Sequence, residues 1–412
     1  MSPSDQRAAS GSGWTPDFTR FFLARTTSVA GDMMLPVALT AAMVQNGYGA
    51  TGVGYALAAQ IAPLAIFVVF GGVLVDRFGA RRMMAGADLG RLLVQGVLAA
   101  SFFVTTPPLW LVLVLLVLVG LGTAAFQPGV ATVIPQVAAD VQRANATLRV
   151  AESLMTVLGP ALAGLLLTVS TPATVLAVDA ATFAVSGLCL LSMRTRLQVP
   201  RRGRPAPLST QLVEGWHHFR ARPWLWGVIL IWMFGALTAF GPHQTLGAAV
   251  ITTTHGTAAF GLVMAMLGAG SVVGGLLAAR IRPRHPLRAG ACAMAGFVLA
   301  PLVVALDLPV PLLAAGHAVA GASVAFWLVM FHTSVQTHIP PAVLARVHAY
   351  DVAGSLVMQP VGRAVAGPVS QEVGVQPYLL FSSAMIVVVV ALLLASPAIR
   401  DLRRADAPTP DP

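Results

Sequence analysis

The side chains that could transfer protons or hold charge in this chain lie inside long apolar runs. Asp32 lies about 14 residues into a run that extends from 18 to 45, which is about 21 Å of helix at roughly 1.5 Å per residue. If that run spans a bilayer, Asp32 lies near mid-membrane, where an ionised carboxylate is costly unless paired or hydrated. Desolvation favours the neutral acid, so Asp32 is a candidate proton-coupling group. The alternative is a structural anchor that pairs with Arg25, seven residues earlier on the same helical face, or with a backbone group.

Three more carboxylates lie within apolar runs or at their ends. Glu152 follows Arg149 by three residues at the start of the fifth run, and it is either a paired surface group or a second proton-coupling candidate. Asp88 and Arg91 are spaced i, i+3 in the third run, which predicts a structural ion pair on one helix. Asp179 lies in the sixth run, where we expect a hydrogen bond to a neighbouring helix.

Arginine and histidine add basic groups to the C-terminal half. Arg363 lies too deep in the eleventh run to reach the cytoplasmic end easily. It could attract an anionic substrate, bond a carboxylate such as Asp32, or reach the outer interface near Glu372. The histidines at 332, 338 and 348 straddle a loop at irregular spacing, so no metal site is predicted. Both cysteines lie inside apolar runs and predict neither a disulfide framework nor a metal cluster.

The composition requires a membrane around these groups. Of the 412 residues, 57% are hydrophobic and 10% charged, whereas soluble domains carry about a quarter charged residues. Apolar runs of about 20 residues, each sufficient to span a bilayer as a helix, recur along the chain. We therefore predict an all-α membrane protein with twelve transmembrane helices, at 18–45, 51–75, 82–104, 109–132, 148–169, 173–193, 224–248, 257–280, 287–305, 310–333, 348–370 and 377–396.

The longest polar interruption, at 194–222, divides these helices six and six. It includes an amphipathic stretch near 208–219, which predicts a cytoplasmic linker on the membrane surface. The predicted organisation is a cytoplasmic segment at 1–17, a six-helix bundle at 18–193, the linker, a second six-helix bundle at 223–396 and a disordered cytoplasmic tail at 397–412. No removable signal peptide is expected.

The distribution of the basic residues, which give the chain its formal charge of +10, indicates how the chain crosses the membrane. All 25 basic residues are arginine, and they cluster in alternate loops, at 77–82, 143–149, 194–222, 280–288 and around 346, whereas the loops between these contain none. By the positive-inside rule this asymmetry predicts a multi-pass protein with both termini in the cytoplasm. The same pattern argues against nucleic-acid binding.

An internal repeat relates the two halves. The pattern F-x-x-x-V-x-T-x-I-P runs from Phe126 to Pro135 after the fourth predicted helix, and it recurs from Phe331 to Pro340 after the tenth. The offset is about half the chain, as expected for two homologous six-helix halves of the kind that many transporters contain.

The segment from Gly72 to Arg82 reads G-V-L-V-D-R-F-G-A-R-R and resembles the signature loop of the major facilitator superfamily, G-x-L-x-D-R-x-G-R-R, departing from it at Ala80. The matching residues include Gly72, Asp76, Arg77, Gly79, Arg81 and Arg82. The chain is similar over essentially its whole length to bacterial drug and siderophore exporters, a branch that includes the enterobactin exporter. The matches there are Gly31-Asp32, Ala87-Asp88-x-x-Arg91, Phe126-x-Pro128 to Ile134-Pro135, Arg143-Ala144-Asn145-Ala146 and Val178-Asp179-Ala180. An antiporter signature in the fifth span is partly retained at Gly159-Pro160, and an arginine often found in the fourth span of drug antiporters is absent.

The resemblance implies the major facilitator fold, with two pseudo-symmetric six-helix bundles around a central cavity. The first, fourth, seventh and tenth helices would line this cavity, so Asp32 would face water and substrate. Asp76 in the signature loop would help to hold one alternating-access state. Candidate substrate contacts on or near these helices are Arg25, Phe126, Trp232, Phe240, His243, Gln244, His317, Trp327 and Arg363.

We therefore predict a secondary transporter of the bacterial plasma membrane that exports a hydrophobic or amphipathic compound, of the drug, natural-product or siderophore class, in exchange for protons. The alternative is a proton-coupled importer on the same fold. An enzyme is not predicted, because the loops offer no polar catalytic cluster, and a P-loop for direct ATP-driven pumping is absent from the sequence. We expect no cofactor or metal. The expected partners are the substrate, protons and membrane lipids, and the protein is expected to act as a monomer.

Overall fold

The computed structural model describes residues 14–138, 141–195, 216–217, 219–339 and 341–404. Helices occupy most of these residues, and the described ranges contain no strand. The long helices are α1 (Pro16–Gln45), α2 (Gly49–Phe78), α3 (Ala80–Val104), α4 (Leu109–Val137), α5 (Val141–Val169), α6 (Pro172–Ser192), α7 (Pro223–His255), α8 (Thr257–Arg280), α9 (Pro286–Ala305), α10 (Val310–His338), α11 (Pro341–Val373) and α12 (Val375–Ala395). A short helix, α13 (Pro397–Arg400), follows.

Ten of these helices, counted over the described residues, are long and apolar enough to cross a membrane. The all-α membrane prediction is thereby confirmed. Several helices extend past their apolar runs: α4 ends at Val137 and α11 begins at Pro341, five residues beyond and seven before the predicted limits of 132 and 348. Hydropathy marks only the part of a helix that suits hydrocarbon, and polar residues continue the same helix beyond it.

Local sequence signals determine where individual helices begin. Thr171 precedes α6, and its hydroxyl accepts the backbone N–H of Thr174 at 3.3 Å, while Pro172 occupies the first turn. A threonine N-cap satisfies an otherwise unpaired amide, and proline in the first turn loses no intrahelical hydrogen bond. The start of α6 is therefore encoded within four residues.

Helix α7 is not regular. A π turn at Ala236–Phe240 interrupts it, and Pro242 follows after Gly241. Proline has no N–H to donate to the carbonyl four residues back, here that of Thr238. The hydroxyl of Ser382 on α12 donates to the Thr238 carbonyl at 3.4 Å, so a neighbouring helix supplies the missing donor at the irregular turn.

The chain divides into two compact units, one comprising 1–42 and 59–201 and the other 43–58 and 202–412. The segment 43–58, where α1 ends and α2 begins, therefore packs with the second unit, although the sequence assigns it to the first bundle. Gly367 of α11 accounts for this contact, since a Cβ at Gly367 would collide with the backbone of Thr51. Absence of a side chain at that position lets the start of α2 lie directly against α11.

Each unit has its own apolar core. The first is built around large side chains of α1, α3 and α4, namely Phe18, Phe21, Met84 and Phe126. The second joins α7, α9, α10 and α12 and extends onto α13; it includes Trp224, Phe240, Leu287, Trp327, Ile386 and Ile399. Every one of these side chains is buried.

Helices α8 and α10 meet along small residues in the second unit. A Cβ added at Gly270 or Gly274 would collide with the backbone of Ala318 or Ala322 on α10, and a Cβ at Gly321 would collide with the backbone of α8. Small residues at such spacing allow two membrane helices to approach at backbone distance. We call these contacts the glycine seam.

The predicted disordered tail is wrong for residues 397–404. Helix α13 buries Ile399 completely, and the N–H of Arg404 donates to the carbonyl of Arg284 at 2.9 Å. An apolar residue one turn beyond α12 was enough to continue packing after the apolar run ended. Residues 405–412, the segment 1–13 and most of the predicted linker, including nearly all of its amphipathic stretch, lie outside the described residues.

Candidate functional site

Arg91 of α3 is the centre of a charged cluster in the first unit. Its side chain is 1% exposed, and its guanidinium bonds two carboxylates on two helices. Nη1 donates to both oxygens of Asp32 on α1 at 3.3 Å, and Nη2 donates to Asp88, one turn earlier on α3. Nη2 also donates to the hydroxyl of Ser28 on α1 at 3.0 Å. One cation therefore joins α1 to α3 and is shared between two carboxylates.

Aromatic rings enclose the same guanidinium. The Arg91 Cζ lies 4.1 Å from the ring centroid of Phe183 on α6 and 5.2 Å from that of Phe126 on α4. Cations are attracted to aromatic faces within about 6 Å, and the attraction is strongest when water is excluded. Phe126, a predicted substrate contact, is 1% exposed, so in this structure it packs on arginine.

The two carboxylates bound to Arg91 differ in how completely protein atoms enclose them. Asp88 is completely buried, and it also accepts a hydrogen bond from the hydroxyl of Ser186 on α6. Asp32 retains 20% of its side-chain exposure. All contacts of Asp88 therefore lie within the unit, whereas Asp32 is the carboxylate of this group that protein atoms do not fully enclose.

A third carboxylate lies beside this cluster. Asp179 on α6 is completely buried, and its Oδ2 accepts a hydrogen bond of 2.7 Å from Nε2 of Gln95 on α3. A side chain at Gly31, directly before Asp32, would collide with Asp179 and Thr182, so glycine is what allows α1 and α6 to approach here. Asp179 therefore lies against the same stretch of α1 that carries Asp32.

Arg25 and Glu152 form a separate pair between α1 and α5. The distance from Arg25 Nε to Glu152 Oε1 is 2.8 Å, and the Arg25 guanidinium lies 5.7 Å from the Phe126 ring centroid. An Arg25–Asp32 pair, the alternative from sequence, is therefore replaced by Arg25–Glu152 and Arg91–Asp32. The reason is geometric, because seven residues separate Arg25 from Asp32 by about 10 Å along a helix axis.

The signature loop connects α2 to α3. Gly79 adopts φ 81° there, a left-handed conformation that only glycine enters without strain. Arg81 donates from Nε to the carbonyl of Leu190 at 2.9 Å and from Nη2 to that of Leu191, at the end of α6, while Arg82 is exposed. Gly72 lies within α2, in a stretch whose side chains, including those of Asp76 and Arg77, lie outside the described residues.

In the second unit, three of the predicted substrate contacts, Trp232, Phe240 and Trp327, are packed together. Trp232 and Trp327 stack with ring centroids 5.7 Å apart and planes 9° apart, and Trp327 stacks in turn on Phe331 at 5.9 Å. Phe240 lies 5.0 Å from Trp232. Trp327 is 1% exposed, whereas Trp232 is half-buried, so Trp232 is the more accessible member of the stack.

His243 and His317 lie next to each other between α7 and α10. Their ring centroids are 5.3 Å apart, and both side chains are buried. His317 Nδ1 lies 2.7 Å from the carbonyl of Leu313, an acceptor that requires the proton on Nδ1. The Phe297 ring lies next to His243, with ring centroids 5.9 Å apart and planes 88° apart.

Among the described residues, the Arg363 side chain bonds neither Asp32 nor Glu372. Its Nη2 donates to the side-chain oxygen of Gln244 on α7, and its Nη1 donates to the carbonyl of Leu57 on α2 at 3.1 Å. The carbonyl of Arg363 accepts the hydroxyl of Thr245 at 3.2 Å. This corrects the expectation of an Asp32 or Glu372 contact: Arg363 joins α11 to α7 and to the start of α2.

The family model of the Major Facilitator Superfamily matches residues 21–354, which is most of the chain and includes the charged cluster and both histidines. The chain belongs to the major facilitator superfamily. A solved structure of the nucleoside transporter NupG is similar in fold, with a TM-score of 0.74 at 14% identity, and the alignment covers 92% of this chain and 99% of NupG. These findings confirm a transporter of this superfamily, and not an enzyme.

Curated relatives within the superfamily include efflux proteins. Macrolide efflux protein A of Streptococcus pyogenes is 22% identical over 410 residues, 95% of this chain and 98% of that protein. Multidrug efflux pump Tap of Mycobacterium tuberculosis is 25% identical over 405 residues, 94% of each chain. An uncharacterized transporter of Bacillus subtilis, YvqJ, is 25% identical over 183 residues, 44% of this chain and 43% of that protein. The resemblance to the drug-exporter branch is therefore confirmed.

Sequence reasoning missed the polar partners that complete the charged cluster, although the spacing contains a signal for them. On α1 the residues Arg25, Ser28 and Asp32 are spaced i, i+3, i+7, and on α3 the residues Asp88, Arg91 and Gln95 repeat that spacing. Asp179 and Ser186 on α6 are spaced i, i+7. Each of these three apolar helices carries one narrow polar stripe. The polar side chains find hydrogen-bond partners inside a membrane when the stripes face one another.

Proposed function

We propose that this superfamily member exports a hydrophobic or amphipathic small molecule of the drug, natural-product or siderophore class by alternating access, in exchange for protons that bind at Asp32. Support for export comes from efflux proteins aligned over about 95% of the chain. Support for proton coupling comes from Asp32, a part-exposed carboxylate in a buried cluster that shares its cation with Asp88. This partial exposure is the single observation that carries the coupling proposal.

The chemistry of the step follows from the geometry of Arg91. When Asp32 is ionised, both of its oxygens hold Arg91 Nη1 and tie α1 to α3. A proton on Asp32 removes its charge, so the guanidinium keeps Asp88 as its ionic partner and the link to α1 weakens. Charge-assisted hydrogen bonds are roughly twice as strong as neutral ones, so protonation changes how firmly the two helices are joined. Glu152, paired with Arg25, is the second candidate for the same role.

The protein is proposed to lie in the bacterial plasma membrane with both termini cytoplasmic. The arginine asymmetry of the loops supports this orientation. Asp76 in the signature loop is proposed to stabilise one alternating-access state, and the substrate is proposed to contact the half-buried Trp232 and its neighbours. The working unit is proposed to be a monomer surrounded by lipid.

The test is Asp32→Asn in reconstituted vesicles with an imposed pH gradient, using a macrolide and a lipophilic fluorescent dye as probes. The amide keeps the size of the side chain but cannot titrate, so we expect pH-driven flux to fall at least about tenfold while the protein stays folded. Asp401→Asn serves as the control, because the Asp401 side chain is 59% exposed. Undiminished pH-driven flux in Asp32→Asn would remove Asp32 from the coupling role, and inward accumulation of both probes would favour the importer.

A further inference from the structure

The contact between Asp179 and Gln95 leaves one buried oxygen atom of each side chain without a hydrogen bond from the described residues. Both side chains are completely buried, and one hydrogen bond joins them, from Gln95 Nε2 to Asp179 Oδ2. The other oxygen of each side chain, Asp179 Oδ1 and Gln95 Oε1, is buried and accepts no hydrogen bond from any described residue. A buried acceptor without a donor is costly, and here two of them belong to side chains that already touch.

We infer that Asp179 carries a proton and that the Asp179–Gln95 pair is a second proton-binding site, deeper than Asp32. A carboxylic acid and a primary amide are complementary, because the acid O–H can donate to the amide oxygen while the amide N–H donates to the acid carbonyl. One proton on Asp179 Oδ1, donated to Gln95 Oε1, supplies a hydrogen bond to both unpaired oxygens.

The charges that face Asp179 support the same assignment. Helix α1 contributes Asp32, and α3 contributes Arg91, whose guanidinium also binds Asp88; the Arg25–Glu152 pair on α1 and α5 is neutral as a unit. Three carboxylates, with Asp179 included, face one guanidinium, so a fully ionised cluster carries a net charge of 1 − 3 = −2. A protonated Asp179 reduces this to −1, and a proton on Asp32 brings it to zero. Isolated buried charge is strongly disfavoured.

The position of Asp179 in the unit favours proton exchange with Asp32. Asp32 is part-exposed, whereas Asp179 is enclosed, so protons are proposed to enter at Asp32 and to reach Asp179 from there. The oxygen of Asp179 that lacks a partner lies against Gly31, so closely that a Cβ there would collide with it. Because Gly31 directly precedes Asp32, the two carboxyl groups border the same turn of α1. The inference rests on the proposed proton coupling for its role in transport, but the bound proton can be detected independently.

Infrared spectroscopy of the purified full-length protein at neutral pH is the direct test. A protonated carboxyl gives a carbonyl-stretch band that an ionised carboxylate lacks. We expect this band in the wild type, its loss in Asp179→Asn, and its retention in the exposed control Asp401→Asn. Gln95→Leu should shift the band to higher frequency, because the acid loses its acceptor; this variant keeps the test valid if Asp179→Asn folds poorly. A spectrum that neither variant changes, or a wild type without the band, would overturn the inference.

A transport experiment then separates this inference from the coupling proposal. In vesicles with an imposed pH gradient we expect Asp179→Asn to move fewer protons per macrolide molecule than the wild type, with macrolide binding retained. If the wild-type flux does not depend on the pH gradient, the coupling proposal fails. The infrared result still decides whether Asp179 holds a proton. If the wild type is proton-driven and Asp179→Asn has the same proton-to-macrolide ratio, Asp179 is not a transported-proton site.

Discussion

Replacing Arg91 with methionine should destabilise the first unit more than most substitutions in the chain. Methionine retains an apolar stem of similar length but removes the guanidinium that binds Asp88, Asp32 and Ser28. The variant leaves Asp88 in a completely buried position without its cation. It also removes the charged group that stacks on Phe183 at 4.1 Å.

The size of the effect follows from these contacts. Breaking a buried ion pair by removing one partner costs about 3–5 kcal/mol, and a desolvated cation on an aromatic ring contributes up to about 2 kcal/mol. These terms overlap because one guanidinium makes both contacts, so we expect about 3–5 kcal/mol in total. At about 1.4 kcal/mol per factor of ten, the unfolding constant should rise by roughly two to four powers of ten.

Reversible unfolding of the purified protein in mixed micelles measures this difference. The control is Arg400→Met, which breaks the exposed Arg400–Asp401 pair and should change stability by less than about 1 kcal/mol. In the double variant Arg91→Met/Asp88→Asn, the unpaired carboxylate is gone, so about 1–3 kcal/mol should return. Equal stability of Arg91→Met and Arg400→Met would refute the argument that the buried cation holds the cluster together.

Two further predictions concern packing and topology. Gly274→Leu should lower the yield of folded protein, measured as monodisperse material in size-exclusion chromatography, because its Cβ would meet the backbone of α10. The control Gly275→Leu should be tolerated, because nothing lies within 4 Å of its Cβ position. Equal yields of the two variants would count against the glycine seam. The topology test uses a variant without the two native cysteines. A cysteine at Thr254 should react with an impermeant reagent on intact cells and a cysteine at Ala405 should not, because the segment around Ala405 contains arginines and the segment around Thr254 does not. Labelling at Ala405 would reverse the proposed orientation.

The parts of the site that the sequence predicts are those within one helix. Asp88 and Arg91 are one turn apart on α3, so their contact needs nothing more than helix formation, and the structure places them in contact. Gly79 belongs to the signature loop that the sequence identifies, and its φ of 81° is a local property of the turn. Local spacing is sufficient in both cases because the backbone geometry of one segment fixes the distance.

The parts that the sequence did not predict depend on which helices are neighbours. Arg25 could have paired with any carboxylate on its face, and its partner Glu152 is 127 residues away. Arg363 likewise contacts α2 across more than 300 residues. The polar stripes on α1 and α3 show which faces are polar, but the choice of partner requires the helix packing, which a single sequence does not specify.

The glycine seam restricts how this protein can change. Where two large side chains meet, a substitution on one helix can be offset by a smaller residue on the other, so second-site suppressors are available. At Gly270 and Gly274 an added side chain meets backbone atoms of α10, and a backbone carbonyl cannot be made smaller by mutation. A suppressor screen started from a bulky residue at either position should therefore return reversion to glycine far more often than compensating changes on α10.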